Sequence, residues 1–184
     1  ISLGLVGSEM CIRDSYIRAG AQVITANTFS TARHVLESID LGDQVRSINE
    51  EAVQLAKMAR DNAADDEVWI AGSISSMAPF NNEEEVAVGK RVESNYREMA
   101  EILAESGVDL VIVEMMRETV NSILIIEAAL STGLPVWIGY SAMMADDGKS
   151  VINWRWKNVK SKPPTGDFEE LVKATVKLGG DAAG

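Results

Sequence analysis

The chain has 184 residues, of which 46% are hydrophobic and 24% charged, a composition typical of a soluble globular domain. Acidic residues outnumber basic ones by 28 to 17, and the resulting net charge of −11 argues against a nucleic-acid partner, because phosphate backbones are bound by clustered Lys and Arg. A single cysteine leaves no disulfide framework and favours a reducing, cytoplasmic setting, and no apolar run approaches the ~20 residues that span a membrane.

Short β-rich runs alternate with longer helical patterns along the chain, which is typical of repeated βα units around a parallel sheet. Strands are predicted at about 21–28, 68–73, 109–114 and 136–141, and helices at about 47–64, 92–106, 119–131 and 167–177. Residues 146–148 predict a turn, and residues 179–184 read like the approach to another strand.

This α/β pattern fits either a doubly wound sheet or part of a closed barrel, and periodicity alone does not choose between them. No predicted strand is followed by GxGxxG or GxxxxGK[ST]. The absence of these phosphate-binding loops disfavours a nucleotide-binding version of the fold.

A series of motifs resembles one known family. The run YIRAGAQVITANTF, residues 16–29, resembles the second βα unit of the homocysteine S-methyltransferase family, in which a helix ending in AGA leads into a strand finishing in TNTF. Further matches follow in the family's order: AGSI at 71–74, AESGVDL at 104–110, VIVE at 111–114 and PVWI at 135–138. The resemblance covers residues 16–184 and implies part of a zinc-dependent TIM (β/α)8 barrel, about strands 2 to 5 with their helices.

The first fifteen residues do not resemble the family's first strand. The stretch SLGLVGSEMCIRDS, residues 2–15, looks like translated adapter read-through from metagenomic assemblies. We therefore predict a non-native leader at 1–15 and a partial homocysteine-binding barrel domain at 16–184. The alternative is that residues 3–7 are a genuine first strand and that a loop follows.

The resemblance implies zinc chemistry for which this chain carries no ligands. Homocysteine must attack as a thiolate, and a free thiol with a pKa of ~8.5 is mostly protonated at pH 7 unless a metal stabilises its ionised form. The family holds its zinc with three cysteines, one after the sixth strand and a pair near the last strand, and the chain ends before both places. Its only cysteine, Cys11, lies in the predicted leader. We expect no metal ligand and no catalytic residue within this fragment, and we expect the fragment alone to be inactive.

Glu114 is the principal candidate for substrate binding. It ends the most apolar predicted strand, at the edge where barrel enzymes place their chemistry, and a carboxylate there can bind the ammonium group of an amino acid. The resemblance implies that this glutamate binds homocysteine. The structural alternative is that it pairs with Arg117 or caps the helix that starts near Thr119.

Asn27 and Thr28 end their strand in the same way, so their amide and hydroxyl groups are candidate substrate ligands, although both residue types also cap turns. Ser73, Ser75 and Ser141 are weaker candidates, because small polar residues at strand ends more often pack or cap loops. Two departures from the family pattern fall in the same loops. Met115 stands in place of a threonine, and Ser-Ser-Met at 75–77 replaces Gly-Pro.

Two further features favour a structural interpretation. His34, the only histidine, is predicted to be solvent-exposed, because the sequence supplies no partner for it. Trp154 and Trp156 are predicted to cover an irregular loop, since the surrounding charge is too sparse for a nucleic-acid groove.

The combined expectation is a methyltransferase that moves a methyl group from a small donor to the thiolate of homocysteine and gives methionine. Its partners are then homocysteine and the methyl donor. The alternative is a zinc-free relative with the same fold that binds a small molecule without transferring a methyl group. Neither the donor nor the oligomeric state is encoded in these residues.

Overall fold

The computed structural model describes residues 3–77, 90–117, 119–153 and 168–183. The helices are α1 (Leu3–Arg18), α2 (Arg33–Glu37), α3 (Val45–Ala63), α4 (Lys90–Glu105), α5 (Thr119–Leu130) and α6 (Phe168–Val176), with a short 3-10 turn at Gly42–Gln44. The strands are β1 (Val23–Thr25), β2 (Trp69–Ser75), β3 (Leu110–Met116), β4 (Val136–Tyr140), β5 (Ala142–Met144), β6 (Val151–Asn153) and β7 (Ala182–Ala183). Within the described ranges, none of these helices combines the length and the apolar character that crossing a bilayer requires.

Five parallel strands form one sheet in the order β1-β2-β3-β4-β7. Each strand lies beside the one that precedes it in this series, so the strand order does not reverse. A doubly wound sheet reverses its order at a switch point. The observed order is that of a singly wound, barrel-like α/β fold, and the predicted α/β class is confirmed.

Helices α3, α4 and α5 pack on one face of this sheet. Alternate strand residues such as Ile70, Val111 and Val136 join helix residues such as Leu103 and Ile125 in one buried core cluster. On the opposite face, Ala71, Ser73 and Ser75 of β2 are buried, and exposure rises toward the amino end of the strand. Trp69, for example, is 43% exposed there.

The same turn leads into four of the parallel strands. A glycine with φ between 74° and 97° lies three positions before the first residue of β1, β3, β4 and β7, and such φ values are accessible to glycine without strain. These glycines are Gly20, Gly107, Gly133 and Gly179. The recurrence marks repeated αβ units and supports the prediction of a further strand after α6.

Two aspartates bond the amino ends of β2 and β4 in the same way. Asp109 donates its backbone N–H to the Ile70 carbonyl at 2.8 Å, and its Oδ2 accepts the Ile70 N–H at 2.7 Å. Asp181 makes the same pair of bonds with Val136, both at 2.9 Å. Each aspartate thereby provides hydrogen-bond partners for the N–H and the carbonyl of one residue at the amino end of a strand.

The segment between β1 and α3 is anchored to α4, and the prediction of an exposed His34 is wrong. His34 is buried, its Nε2 lies 3.1 Å from the Met77 carbonyl oxygen, and its ring meets that of Tyr96 edge to face with centroids 5.3 Å apart. The neighbouring Arg33 forms a two-point ion pair with Glu98 on α4, which raises the pKa of Arg33. This pairing brings the short helix α2 against α4 and covers the histidine.

Two other elements were not predicted. Residues 3–7 belong to α1, which contradicts the alternative of a first strand there, and the expected boundary between residues 15 and 16 falls inside this helix. The non-native leader itself stays a prediction.

Strands β5 and β6 form an antiparallel hairpin around the predicted 146–148 turn. The Asp147 carboxylate accepts hydrogen bonds from the Ser150 hydroxyl and from the backbone N–H groups of Ser150 and Lys149, which lowers its pKa to about 2. Trp154 and Trp156 lie outside the described residues.

We predict that Gly72→Val destabilises the fold by about 1–3 kcal/mol, because α4 packs directly over this glycine. A Cβ at Gly72 would lie 3.0 Å from Leu103 Cδ1 and 3.3 Å from Leu103 Cβ. The free energy of unfolding from urea titrations measures the loss. Leu103→Ala serves as the partner in a double-mutant cycle and should cost less in the Gly72→Val background than in the original chain. Equal costs in the two backgrounds would contradict the contact.

Candidate functional site

The carboxyl ends of β1, β2 and β3 meet beside a cavity of about 550 Å³. Three of the predicted substrate-binding residues line it: Asn27 after β1, Ser73 in β2 and Glu114 in β3. Parallel strands end at a common edge of a sheet, which is why residues far apart in the sequence converge here. The remaining lining residues come from α1 and from the length of β1, and they include Ile12, Arg13, Tyr16, Thr25 and Phe29.

Glu114 is half-buried, and its carboxylate is held from the neighbouring strand. The Ser73 hydroxyl donates a hydrogen bond to Glu114 Oε1 at 2.8 Å. Among the described residues, no hydrogen bond to Oε2 and no pairing with Arg117 is found. The carboxylate therefore has one oxygen held by the protein and one left for a cationic group entering the cavity.

Regular alternation along β3 places Glu114 on the face opposite the helices, and an irregularity in the strand follows it. Glu114 is in register with Ser75 of β2, but on the β4 side the register shifts between Val113 and Met116. Val113 and Met116 both belong to the helix-facing core, although they are three positions apart instead of two. One extra residue has thus been inserted after Glu114, and this β-bulge returns Met116, in place of Met115, to the core.

Met115 carries the strain of this bulge. Its φ is 59°, a left-handed conformation that side-chain-bearing residues seldom adopt. Two bonds hold the bulge in place: the Ser76 hydroxyl donates to the Met115 carbonyl at 2.8 Å, and the Ser141 N–H donates to the Met116 carbonyl at 3.0 Å. Ser141, a weaker predicted ligand, is half-buried at the end of β4 and is not among the residues that line the cavity.

Thr28 is fully buried and acts on the backbone of β2. Its Oγ1 donates to the Ser73 carbonyl at 2.8 Å and accepts the Ser73 N–H at 3.0 Å. The hydroxyl thereby replaces the backbone partner that β2 loses where β1 ends at Thr25. Asn27 is exposed at the cavity, so of this pair it is the residue within reach of a ligand.

Sequence reasoning named Ser75 as a weaker candidate ligand, gave Ser76 no role, and predicted the bonding partner of neither serine. The Ser75 hydroxyl donates to the Phe29 carbonyl at 2.5 Å, and Ser76 supports the bulge at Met115. Both lie in the Ser-Ser-Met segment that departs from the family pattern. Their position after a strand was visible in the sequence, but the backbone carbonyls that they bind become neighbours only when the parallel strands pair.

The described residues do not fit the zinc ion that the resemblance implies. Among them, no three His, Cys, Asp or Glu side chains are grouped so that they could hold a metal. Cys11, the one cysteine of the chain, is exposed on α1. We therefore assign no chemical step in this chain to a bound metal.

A singly wound α/β sheet with an acid at its carboxyl edge defines a class of protein that binds small molecules at the ends of its strands. The family model for homocysteine S-methyltransferase matches residues 11–164, and the chain belongs to this family. The match begins within the stretch 1–15 that we predict to be non-native.

Solved structures of one enzyme share this fold. The metallated form of the homocysteine methyltransferase MmuM from Escherichia coli is 17% identical, with a TM-score of 0.66, over 92% of this chain and 59% of that one. Its oxidized form is 19% identical (TM-score 0.58, 74% and 51% covered), and its apo form is 19% identical (TM-score 0.54, 72% and 48% covered). The chain thus spans little more than half of MmuM. No curated protein matches it.

We predict that Met115→Gly is more stable than Met115→Ala by about 1 kcal/mol, because only glycine adopts the left-handed backbone without cost. Both substitutions remove the same side chain, so the comparison isolates the backbone. Thermal unfolding of the two variants measures the difference. At Met116, which has no positive φ, the order should reverse, with alanine the more stable. Alanine more stable at both positions would contradict the strain.

Proposed function

We propose that the protein to which this chain belongs is a homocysteine S-methyltransferase that transfers a methyl group from a small donor to the thiolate of homocysteine and gives methionine. The observation that carries the proposal is the Glu114 carboxylate at the cavity, which the Ser73 hydroxyl bonds through Oε1 only, in a chain that belongs to this family. In this reaction the sulfur forms a bond to the methyl carbon as the bond from that carbon to the donor breaks.

In this proposal Glu114 binds the α-ammonium group of homocysteine. An ionised carboxylate and an ammonium group form a charge-assisted hydrogen bond, which is stronger than a bond between neutral groups. Asn27 supplies an exposed amide at the same cavity, suited to the polar end of the amino acid. Thr28 and Ser141 support the surrounding backbone in this proposal.

We further propose that the sheet is part of a TIM (β/α)8 barrel, with β1 to β4 as barrel strands 2 to 5 and β7 as the start of the next. The unreversed strand order and the packing of α3 to α5 on one face support this arrangement. The face that carries Trp69, Ser73 and Glu114 would then line the barrel interior. We place the protein in the cytoplasm, on the grounds of its single cysteine and its acidic composition.

Binding of homocysteine to the 184-residue chain tests the role of Glu114. Ligand-observed NMR compares homocysteine with 4-mercaptobutyrate, which lacks only the ammonium group. We predict that Glu114→Gln weakens homocysteine binding by about tenfold, because hydrogen bonds to charged groups contribute about 1.5–3 kcal/mol. Binding of 4-mercaptobutyrate should not change.

The exposed Glu101 of α4 provides the matched control, and Glu101→Gln should leave both affinities unchanged. Equal affinities of the original chain for the two ligands would overturn the assignment of Glu114. Homocysteine binding without methyl transfer by the full-length protein, tested with sulfonium, ammonium and folate donors, would favour the alternative of a small-molecule binding protein.

A further inference from the structure

We propose that Ser73 is a positioning residue for Glu114, which fixes one carboxylate oxygen so that the other faces the substrate's ammonium group. The proposal rests on the function proposed above. In it, Ser73 does not contact the substrate but orients Glu114, which does. Three features of the site carry it.

The first feature is the burial and chemistry of the serine hydroxyl. Ser73 is only 1% exposed, so it offers almost no surface to a ligand. A serine hydroxyl has one proton, and Ser73 donates it to Glu114 Oε1 at 2.8 Å. The hydroxyl is therefore already committed to the carboxylate before any substrate arrives.

The second feature is the fixed position of Ser73 itself. Its backbone N–H and carbonyl are both bonded to the Thr28 hydroxyl. The Thr28 carbonyl in turn accepts a hydrogen bond from Thr31 Oγ1 at 2.9 Å, and the Thr31 carbonyl accepts one from Asn49 Nδ2 on α3 at 3.2 Å. A continuous set of hydrogen bonds thus connects α3 with the Glu114 carboxylate.

The third feature is the conformation of the strand at Glu114. Its side chain extends from a bulge, next to a residue in a left-handed conformation, where the regular ladder on the β4 side is interrupted. A glutamate side chain has three rotatable bonds and loses much conformational entropy when it is ordered. Ordering it in the free protein removes that cost from the binding step, which strengthens binding.

Ser75 offers a matched comparison within the same strand. It is also buried, at 2% exposure, and it lies directly opposite Glu114 in the register. Its hydroxyl, however, donates to the Phe29 carbonyl at 2.5 Å and does not bond the carboxylate. Removing the Ser75 hydroxyl deletes its bonds to the Phe29 carbonyl and the Met77 N–H, whereas only Ser73→Ala deletes the bond to Glu114.

The test measures the ratio of the two dissociation constants, for homocysteine and 4-mercaptobutyrate, in Ser73→Ala and Ser75→Ala. We expect Ser73→Ala to weaken homocysteine binding by up to about tenfold and to leave 4-mercaptobutyrate within about twofold, because the Glu114 side chain must then be ordered in the binding step. Ser75→Ala should leave the ratio unchanged. Because both ligands bind the same folded fraction, partial unfolding of a variant does not alter the ratio.

The double variant Ser73→Ala/Glu114→Gln separates this proposal from the proposed function. If Ser73 acts through Glu114, adding Ser73→Ala to Glu114→Gln does not change the ratio further. An unchanged ratio in Ser73→Ala, together with a changed ratio in Glu114→Gln, overturns the positioning role and leaves the proposed function intact. An unchanged ratio in Glu114→Gln overturns both.

Discussion

The candidate site depends on the hydrogen bond between the Ser73 hydroxyl and the Glu114 carboxylate. It joins two strands whose residues lie 41 positions apart in the chain, and it forms because β2 and β3 are parallel neighbours in a defined register. A slip of one residue would turn either side chain to the opposite face. The close packing of α4 on Gly72 and the Asp109 bonds at the base of β2 both oppose such a slip.

Backbone hydrogen bonding is regular at the amino edge of the sheet and irregular at its carboxyl edge. The contacts that repeat throughout the fold thus lie at the opposite edge from the candidate site. At the amino edge, the repeated glycine turns and the aspartate pairs satisfy the backbone in the same way from unit to unit. At the carboxyl edge, the bulge at Met115 and the side-chain bonds of Thr28, Ser75 and Ser76 replace regular ladder contacts. Such local departures are costly, and they accumulate where a protein directs side chains toward a ligand.

The sequence predicted the regular part of this fold well. Helices α3 to α6 and strands β2 to β4 were predicted within about two residues of their bounds, because hydrophobic periodicity and glycine turns are local signals. Glu114 could be placed at the end of a buried strand for the same reason. The bulge could not be predicted, since the run from Leu110 to Met116 reads as one uninterrupted apolar strand with a single acid.

Nonlocal contacts account for the other differences. His34 is buried against the Tyr96 ring and the Met77 carbonyl, which lie far along the chain, and no local pattern predicts these contacts. Threonine is common in turns, yet the Thr28 hydroxyl hydrogen-bonds the backbone N–H and carbonyl of Ser73. The strands of the β5–β6 hairpin have three residues each, too few for an alternating pattern to identify them. These roles are set by strand pairing and by helix packing.

A crystal structure of the chain with homocysteine bound would test the central claim most directly. The account predicts the ligand's ammonium nitrogen at about 2.8 Å from Glu114 Oε2, with the Ser73 hydroxyl still bonded to Oε1. A ligand bound away from this carboxylate, or a Glu114 side chain turned toward the helical layer, would contradict it.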